Sequence, residues 1–406
     1  MYLKKLLACV GFSLALAFTF SCSDDNSPNR SGPSENIDNP AACSGTLPKG
    51  NSPVEAYGKL LAKGNMLFGS KTGCVPVQVR GVSLGWSNTD WESAPFFNST
   101  TVNAMVNDWK AEIVRVPLGS SEYGGYDSDP ANNKNRVLTA IDAAIAKNVY
   151  VVIDWHSHKA ENEVSAAKAF FKEMAEKYGN NDHVIFEIYN EPLDNVSWET
   201  IKKYAEEIIP VIRQYSNNLI LVGTRTWSRR LDDVIGKELA DNNVGYVLHF
   251  YSENLYLDRP VEGSKDPSSP TFRQVITQAM NAGLLVFISE YGTTNSDGGN
   301  PANGNLYSHN ATYTDEWMAF MDERKLSSCA WHVNNKNEGS AFFVPSFSPA
   351  SGDYNNENAM TASGKYIYNK LRAYSQKLRR GESKFSRLPF PTRESGGIGR
   401  RTRLRT

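Results

Sequence analysis

Two glutamates stand where apolar runs end, a placement that is costly for a carboxylate unless something offsets it. Residues Val184 to Pro192 read V-I-F-E-I-Y-N-E-P, six mostly β-branched or aromatic residues followed by an abrupt break. That pattern is a strand buried on both faces, with Glu191 at its end. Residues Leu284 to Gly292, L-L-V-F-I-S-E-Y-G, repeat the design with Glu290 before a glycine turn. A strand-end glutamate can be a structural partner of an arginine. Two of them on two strand ends of one sheet are what cleavage of a glycosidic bond needs, one as acid/base and one as nucleophile.

The elements that must position them follow from the rest of the pattern. Short apolar runs at 77–82, 113–116, 149–154, 184–189, 219–222, 244–250, 284–288 and 328–331 read as strands. Helical patterns lie between them, clearest at 136–147, 163–178, 198–215, 272–282 and 314–325, with a last one near 364–374. This alternation predicts an α/β fold, a (β/α)8 TIM barrel, whose usual size is about 250 residues. A doubly wound open sheet is the alternative, but Gly81-Val82-Ser83-Leu84-Gly85 lacks the glycine spacing of a nucleotide-binding turn. Barrel enzymes gather polar residues at the C-terminal strand ends. Here those ends carry Arg115, Asp154-Trp155-His156, Asn190-Glu191, His249-Phe250-Tyr251, Glu290 and Trp331. Each alone has a structural reading, an ion pair or a packed core residue; together they mark six of eight strand ends.

The 406 residues are 40% hydrophobic and 21% charged, enough for one large core, and the net charge of -1 names no partner. That balance conceals a division. Residues 376–406 carry ten Lys and Arg against two Glu, a net of +8, which leaves -9 on residues 1–375. No nucleic-acid partner is expected, and the basic tail reads as a solvated segment. Residues 1–22 begin with Lys4 and Lys5, run apolar to Phe20 and reach Ser21-Cys22, a secretory signal too short and too early for a membrane span. Ser21-Cys22 resembles a bacterial lipoprotein processing site, which makes Cys22 the expected lipidation site and membrane anchor. Plain secretion is the alternative. Residues 23–53 are a polar, Pro- and Gly-containing tether, and residues 54–375 the catalytic barrel. Cys43 with Cys74 is the expected disulfide, because Cys329 lies in a run that reads as buried. No cysteine has metal-ligand spacing with histidine, so a zinc site is not expected. The chain as a whole calls for no metal and no cofactor.

The stretch from about Tyr57 to Tyr374 resembles the catalytic domain of glycoside hydrolase family five, clan A, in its bacterial endo-β-1,4-glucanase form. The motifs are I-V-R-V-P, V-V-I-D-W-H, V-I-F-E-I-Y-N-E-P, V-G-T-R-T-W-S, Y-V-L-H-F-Y and V-F-I-S-E-Y-G, with the segment from Trp331 through Lys336 and Glu338. The resemblance implies that Glu191 is the proton donor and Glu290 the nucleophile. It places Arg115, His156, Asn190, His249 and Tyr251 in the surrounding shell and Trp331 as a sugar platform. The residue chemistry agrees. Glu191 must hold a proton near neutral pH, and Glu290 must stay ionised beside Arg115 and the Tyr251 hydroxyl. Asn190 can bond a sugar 2-hydroxyl. Trp86 offers a second apolar face, Lys336 and Glu338 could reach hydroxyls one or two sugars away, and Trp227 bounds the leaving-group side. The segment Ser83-Leu84-Gly85-Trp86-Ser87 lacks the histidine found there in many relatives.

A β-glucan is therefore the expected partner, acted on by a monomer, with β-mannan, xyloglucan or mixed-linkage glucan as alternative substrates. A noncatalytic polysaccharide-binding lipoprotein would have lost a carboxylate, and both are present. A barrel enzyme holding a metal through Glu191, Asp154 and the histidines would not require Asn-Glu-Pro or tryptophan platforms.

Overall fold

Backbone pairing in this chain closes on itself. The computed structural model describes residues 45–380, apart from 262–267, 297, 300–308 and 310. It begins with helix α1 (Pro53–Tyr57) and an antiparallel hairpin of β1 (Leu60–Lys63) and β2 (Met66–Gly69). Eight parallel strands follow: β3 (Arg80–Leu84), β4 (Ile113–Gly119), β5 (Tyr150–His156), β6 (Val184–Glu187), β7 (Ile220–Val222), β8 (Val244–Tyr251), β9 (Val286–Gly292) and β10 (Ser328–Val333). Each pairs with its neighbour in chain order, and β10 returns to β3 with Ser328 opposite Arg80, so the barrel has no open edge.

Around it run α2 (Ser99–Asn107), α3 (Pro130–Ala146), α4 (Val164–Tyr178), α5 (Trp198–Arg213), α6 (Phe272–Asn281), α7 (Ala311–Arg324) and α8 (Ala362–Arg380). Their starts are capped as the sequence dictates. Ser197 accepts from the Thr200 N–H at the head of α5, and Thr271 and Gln274 form a capping box on α6. Helix α5 turns Ile201, Ala205, Ile208 and Ile212 inward at helical spacing, which is why it packs on the sheet.

Side chains on each strand alternate between two environments. Val114, Ile153, Phe186 and Leu248 face the helices, whereas Ile113, Val152, Ile185, Leu221, Val247, Phe287 and Cys329 pack together with Val54, Tyr57, Leu60 and Leu67. The hairpin and α1 thus plug the N-terminal end of the barrel. Two residues further along the same parity come Arg115, Asp154, Glu187, His249, Ser289 and Trp331, all buried. Water is kept from below, and the polar layer sits under the mouth.

Several boundaries differ from the sequence expectation. The first barrel strand is Arg80–Leu84, because Val77 and Val79 belong to the plug. Strand β6 ends at Glu187, since its pairing with the three-residue β7 stops at Glu187 opposite Leu221. The hairpin and α2 were not expected. Residues 376–380, read as the start of the basic tail, continue α8. Cys74 is disulfide-bonded and Cys329 is free and buried. The signal, Cys22, Cys43 and residues 381–406 lie outside the described residues.

Candidate active site

Arg115 organises the floor of the site. Its guanidinium is wholly buried and meets three carboxylates: Nε donates to Glu187 Oε2 at 2.8 Å, Nη2 lies 2.9 Å from Asp154 Oδ2, and Nη1 donates to Glu290 Oε2 at 2.8 Å. Nη2 also donates to Asn190 Oδ1 at 2.6 Å, which turns the other end of that amide, its donor, away from the arginine. Burial opposes the arginine's charge, but Asp154, Glu187 and Glu290 outweigh it and keep the group protonated. The Tyr251 hydroxyl donates to the second Glu290 oxygen at 2.7 Å. Two donors thus fix the Glu290 side chain, one on each oxygen.

Backbone geometry explains how Glu290 reaches this position. Between Val247 opposite Phe287 and His249 opposite Glu290, β9 carries one residue more than β8. The bulge lets consecutive residues, Ser289 and Glu290, both turn into the barrel, where a regular strand would send one outward.

Glu191 is held differently. Its N–H donates to the Ser157 carbonyl at 3.2 Å, fastening the loop to the end of β5. The Ser228 hydroxyl donates to the Asn190 carbonyl at 2.7 Å and the Trp227 N–H to the Pro192 carbonyl at 2.8 Å. That second strap is a left-handed turn with φ of 61° at Thr226, 53° at Trp227 and 56° at Ser228. Non-glycine residues there cost roughly 1–3 kcal/mol each, offset by the bonds just named. Burial raises the Glu191 carboxyl above its usual range, against His158, Arg229 and Arg115, which pull the other way. One carboxyl is shifted toward its protonated form by burial, while the other is clamped by cationic and hydroxyl donors.

The two face each other closely. An oxygen of Glu191, an oxygen of Glu290 and a ring nitrogen of His249 all lie within 4.8 Å of one another. His249 Nδ1 is 2.9 Å from Glu191 Oε1, and His156 Nδ1 is 2.7 Å from Asp154 Oδ2. Burial pushes both imidazoles down, His249 to about 4, so neither carries charge near neutral pH.

An open cleft of about 230 Å³ lies on the β10 and β3 side, lined by Trp86, Trp91, Trp331, Lys336 and Glu338, and it reaches Tyr251, the hydroxyl partner of Glu290. Trp331 lies parallel to His156 at 5.5 Å and to His332 at 4.4 Å between ring centres, so its plane is fixed. Trp86 abuts His156 edge-on at 4.2 Å and leans on Trp91 at 5.4 Å. Glu338 is committed to protein partners: Lys336 Nζ at 2.8 Å, His332 Nε2 at 2.9 Å and the Ser340 hydroxyl at 2.6 Å. Burial would raise its carboxyl, but His332 and Lys336 prevail and hold it at about 2. Its part is thus to orient Lys336, the half-exposed donor. The opposite arc of the barrel, β7 and β8, carries Trp227, whose ring lies 5.5 Å from the Arg229 guanidinium.

All eleven of the expected catalytic and sugar-binding residues fall at this mouth. Sequence reading missed Glu187, Ser289, His158 and Arg229. Glu187 shares inward parity with Ile185, the signal that could have found it; nothing in the sequence marks the bulge that turns Ser289 inward.

Comparison with known proteins gives the family of the chain. Residues 70–337 match the family model of cellulase, glycosyl hydrolase family 5. The chain belongs to this family. Endoglucanase Z of Dickeya dadantii is 45% identical over 267 residues, covering 65% of this chain and 58% of that protein. A Thermoanaerobacterium cellulase is 34% identical over 317 residues, covering 74% of this chain and 78% of the relative. Among solved structures, one from Cytophaga hutchinsonii superposes with a TM-score of 0.72 at 37% identity, covering 81% of this chain and 99% of that one. The catalytic domain of a Thermobifida fusca endoglucanase gives 0.69 at 30% identity, covering 79% and 99%. The closed barrel of this family 5 hydrolase is the fold of those neighbours.

Proposed function

We propose that this family 5 hydrolase cleaves internal β-1,4-glucosidic bonds of cellulose or related β-glucans, with Glu191 as acid/base and Glu290 as nucleophile. The observation that carries the reading is the pairing of a carboxyl raised by burial, Glu191, with a carboxyl gripped by Arg115 and Tyr251, Glu290, one oxygen of each lying within 4.8 Å of the other. Inverting enzymes keep their carboxyl groups about 6.5–9.5 Å apart, retaining ones about 5–5.5 Å. Glu290, oriented by Arg115 and Tyr251, attacks the anomeric carbon as Glu191 gives its proton to the departing oxygen. A glycosyl ester forms on Glu290; Glu191, now a carboxylate, takes a proton from water, which attacks the same carbon and frees Glu290. The Asn190 amide nitrogen, its oxygen being taken by Arg115, serves the 2-hydroxyl through both steps.

Substrate choice is read from the cleft. Flat platforms at Trp331 and Trp86, with Lys336 beyond, suit an unbranched pyranose chain. Hydrolysis of soluble cellulose derivatives, β-mannan, xyloglucan and mixed-linkage glucan, with sizing of the products, tests the choice. Mid-chain cleavage fastest on β-1,4-glucan is expected; faster cleavage of mannan would reassign the substrate. Activity in excess chelator addresses a metal-dependent mechanism, and full retention is expected.

We also infer that Cys22 is acylated and tethers a monomeric enzyme to the cell envelope, supported by the apolar run that precedes it. One acyl chain anchors only marginally, so more than one is expected. Mass spectrometry of the mature N-terminus decides this: a lipid-modified Cys22 is expected, and an unmodified residue elsewhere would contradict it.

A further inference from the structure

A chain of three hydrogen bonds joins Glu187 to Glu191. Arg115 grips Glu187 with two prongs, Nε to Oε2 at 2.8 Å and Nη2 to Oε1 at 3.2 Å, which makes Glu187 an acceptor-only carboxylate. The Ser289 hydroxyl donates to Glu187 Oε1 at 2.7 Å. A hydroxyl has one hydrogen, so toward His249 Nε2, 2.9 Å away, the same oxygen can only accept. The hydrogen between them is therefore on Nε2. A neutral imidazole has a single N–H, which leaves Nδ1 with a bare lone pair, 2.9 Å from Glu191 Oε1. That contact is attractive only when Oε1 carries a hydrogen.

We propose that Glu187 and Ser289 lock His249 in its Nε2–H tautomer, so that Nδ1 accepts the carboxylic hydrogen of Glu191 and Ser289 is a positioning residue for the acid/base. The inference rests on Glu191 having that role. It gives the bulge in β9 a double purpose: Glu290 serves the anomeric carbon, and Ser289, its neighbour, sets the proton on the opposite carboxyl.

The consequence has a definite sign. An acceptor aimed at a carboxyl stabilises the protonated form and faces the ionised form with a lone pair, so it raises the proton affinity of Glu191. Once the proton has left for the glycosidic oxygen, the same lone pair makes the carboxylate a better base toward water. Other groups act on Glu191 from each surrounding element. His158 Nδ1, after β5, lies 3.9 Å from Oε2; Arg229, after β7, and Arg115, on β4, add positive charge. Asp154 on β5, Tyr251 on β8 and Glu290 on β9 complete the set. The cations favour ionisation, so the tautomer works against them, alongside burial.

Two measurements on the full chain test the proposal. Long-range proton–nitrogen spectra of enzyme labelled at histidine nitrogen should show His249 with an unprotonated Nδ1 and a protonated Nε2 at neutral pH; the reverse tautomer would overturn the idea without any mutation. Ser289→Ala should free the ring to donate from Nδ1, moving the alkaline limb of kcat/KM on cello-oligosaccharides down by about one pH unit, a tenfold change in proton affinity. Ser289→Thr, which keeps the hydroxyl, should restore the limb. A limb in Ser289→Ala that coincides with wild type would overturn the proposal. Failure of the acid/base assignment is distinguishable, because it would show in Glu191→Gln whatever the tautomer of His249.

Discussion

Arg115 Nη1 donates to Glu290 Oε2 at 2.8 Å inside a barrel that shields the guanidinium completely from solvent. The same group serves Asp154 and Glu187, so one cation compensates three buried acids. Replacing Arg115 by Met should therefore do more than slow the reaction. Breaking a buried pair by removing one partner typically costs about 3–5 kcal/mol. Thermal or denaturant unfolding should show a loss of that order, with activity abolished in whatever folds. Arg115→Lys should also fail, since an ammonium cannot supply the fork that meets Glu187 and Glu290 together. A stable, active Met variant would contradict this arrangement.

Exchange of the two carboxylates should give different signatures. Glu191→Gln removes the proton donor and should lose least on an aryl cellobioside whose leaving group needs no proton. Glu290→Ala removes the attacking group and should fail on every substrate. Kinetics on the aryl substrate and on cello-oligosaccharides separate the two; equal loss by Glu191→Gln on both would remove it from the acid/base role.

Trp331 offers its indole to the cleft with its plane set by His156 and His332. Its truncation to Ala should weaken transition-state binding on polymer by a few kcal/mol, on the order of losing a large aromatic contact. Folded protein with wild-type turnover on soluble cellulose derivatives would rule out the platform.

How much of this was legible in the chain depends on period. Along β5, Val152, Asp154 and His156 alternate inward, and along β8 Val247, His249 and Tyr251 do the same, so a period of two links core to site. Glu187 was hidden because V-I-F-E-I reads as an uninterrupted buried run. Ser289 and Glu290 both point inward, which breaks the period and could be known only from the extra residue in β9. The hairpin was overlooked because its strands span four residues each, although Gly64, with a φ of 57°, marks the turn.

Stability should vary with pH through a group far from the catalytic pair. Glu112, next to β4 at the N-terminal end of the barrel, has an enclosed Oε2 without a hydrogen-bond partner, and burial raises its carboxyl from 4.5 to about 8 despite Arg80. A carboxyl raised on folding favours the native state fully below its unfolded value and loses that contribution as pH rises through its folded value. The melting temperature should therefore fall between about pH 5 and pH 8. Glu112→Gln should flatten that fall, and an unchanged slope would contradict the assignment.

The central claim is a double displacement through Glu290, and the anomer released first tests it most directly. Proton NMR during early hydrolysis of a β-1,4-linked oligosaccharide, before mutarotation, reports the configuration at the new reducing end. The β-anomer should appear first, because two inversions at one carbon restore the starting geometry. An initial α-anomer would mean a single displacement by water and would take Glu290 out of the nucleophile role.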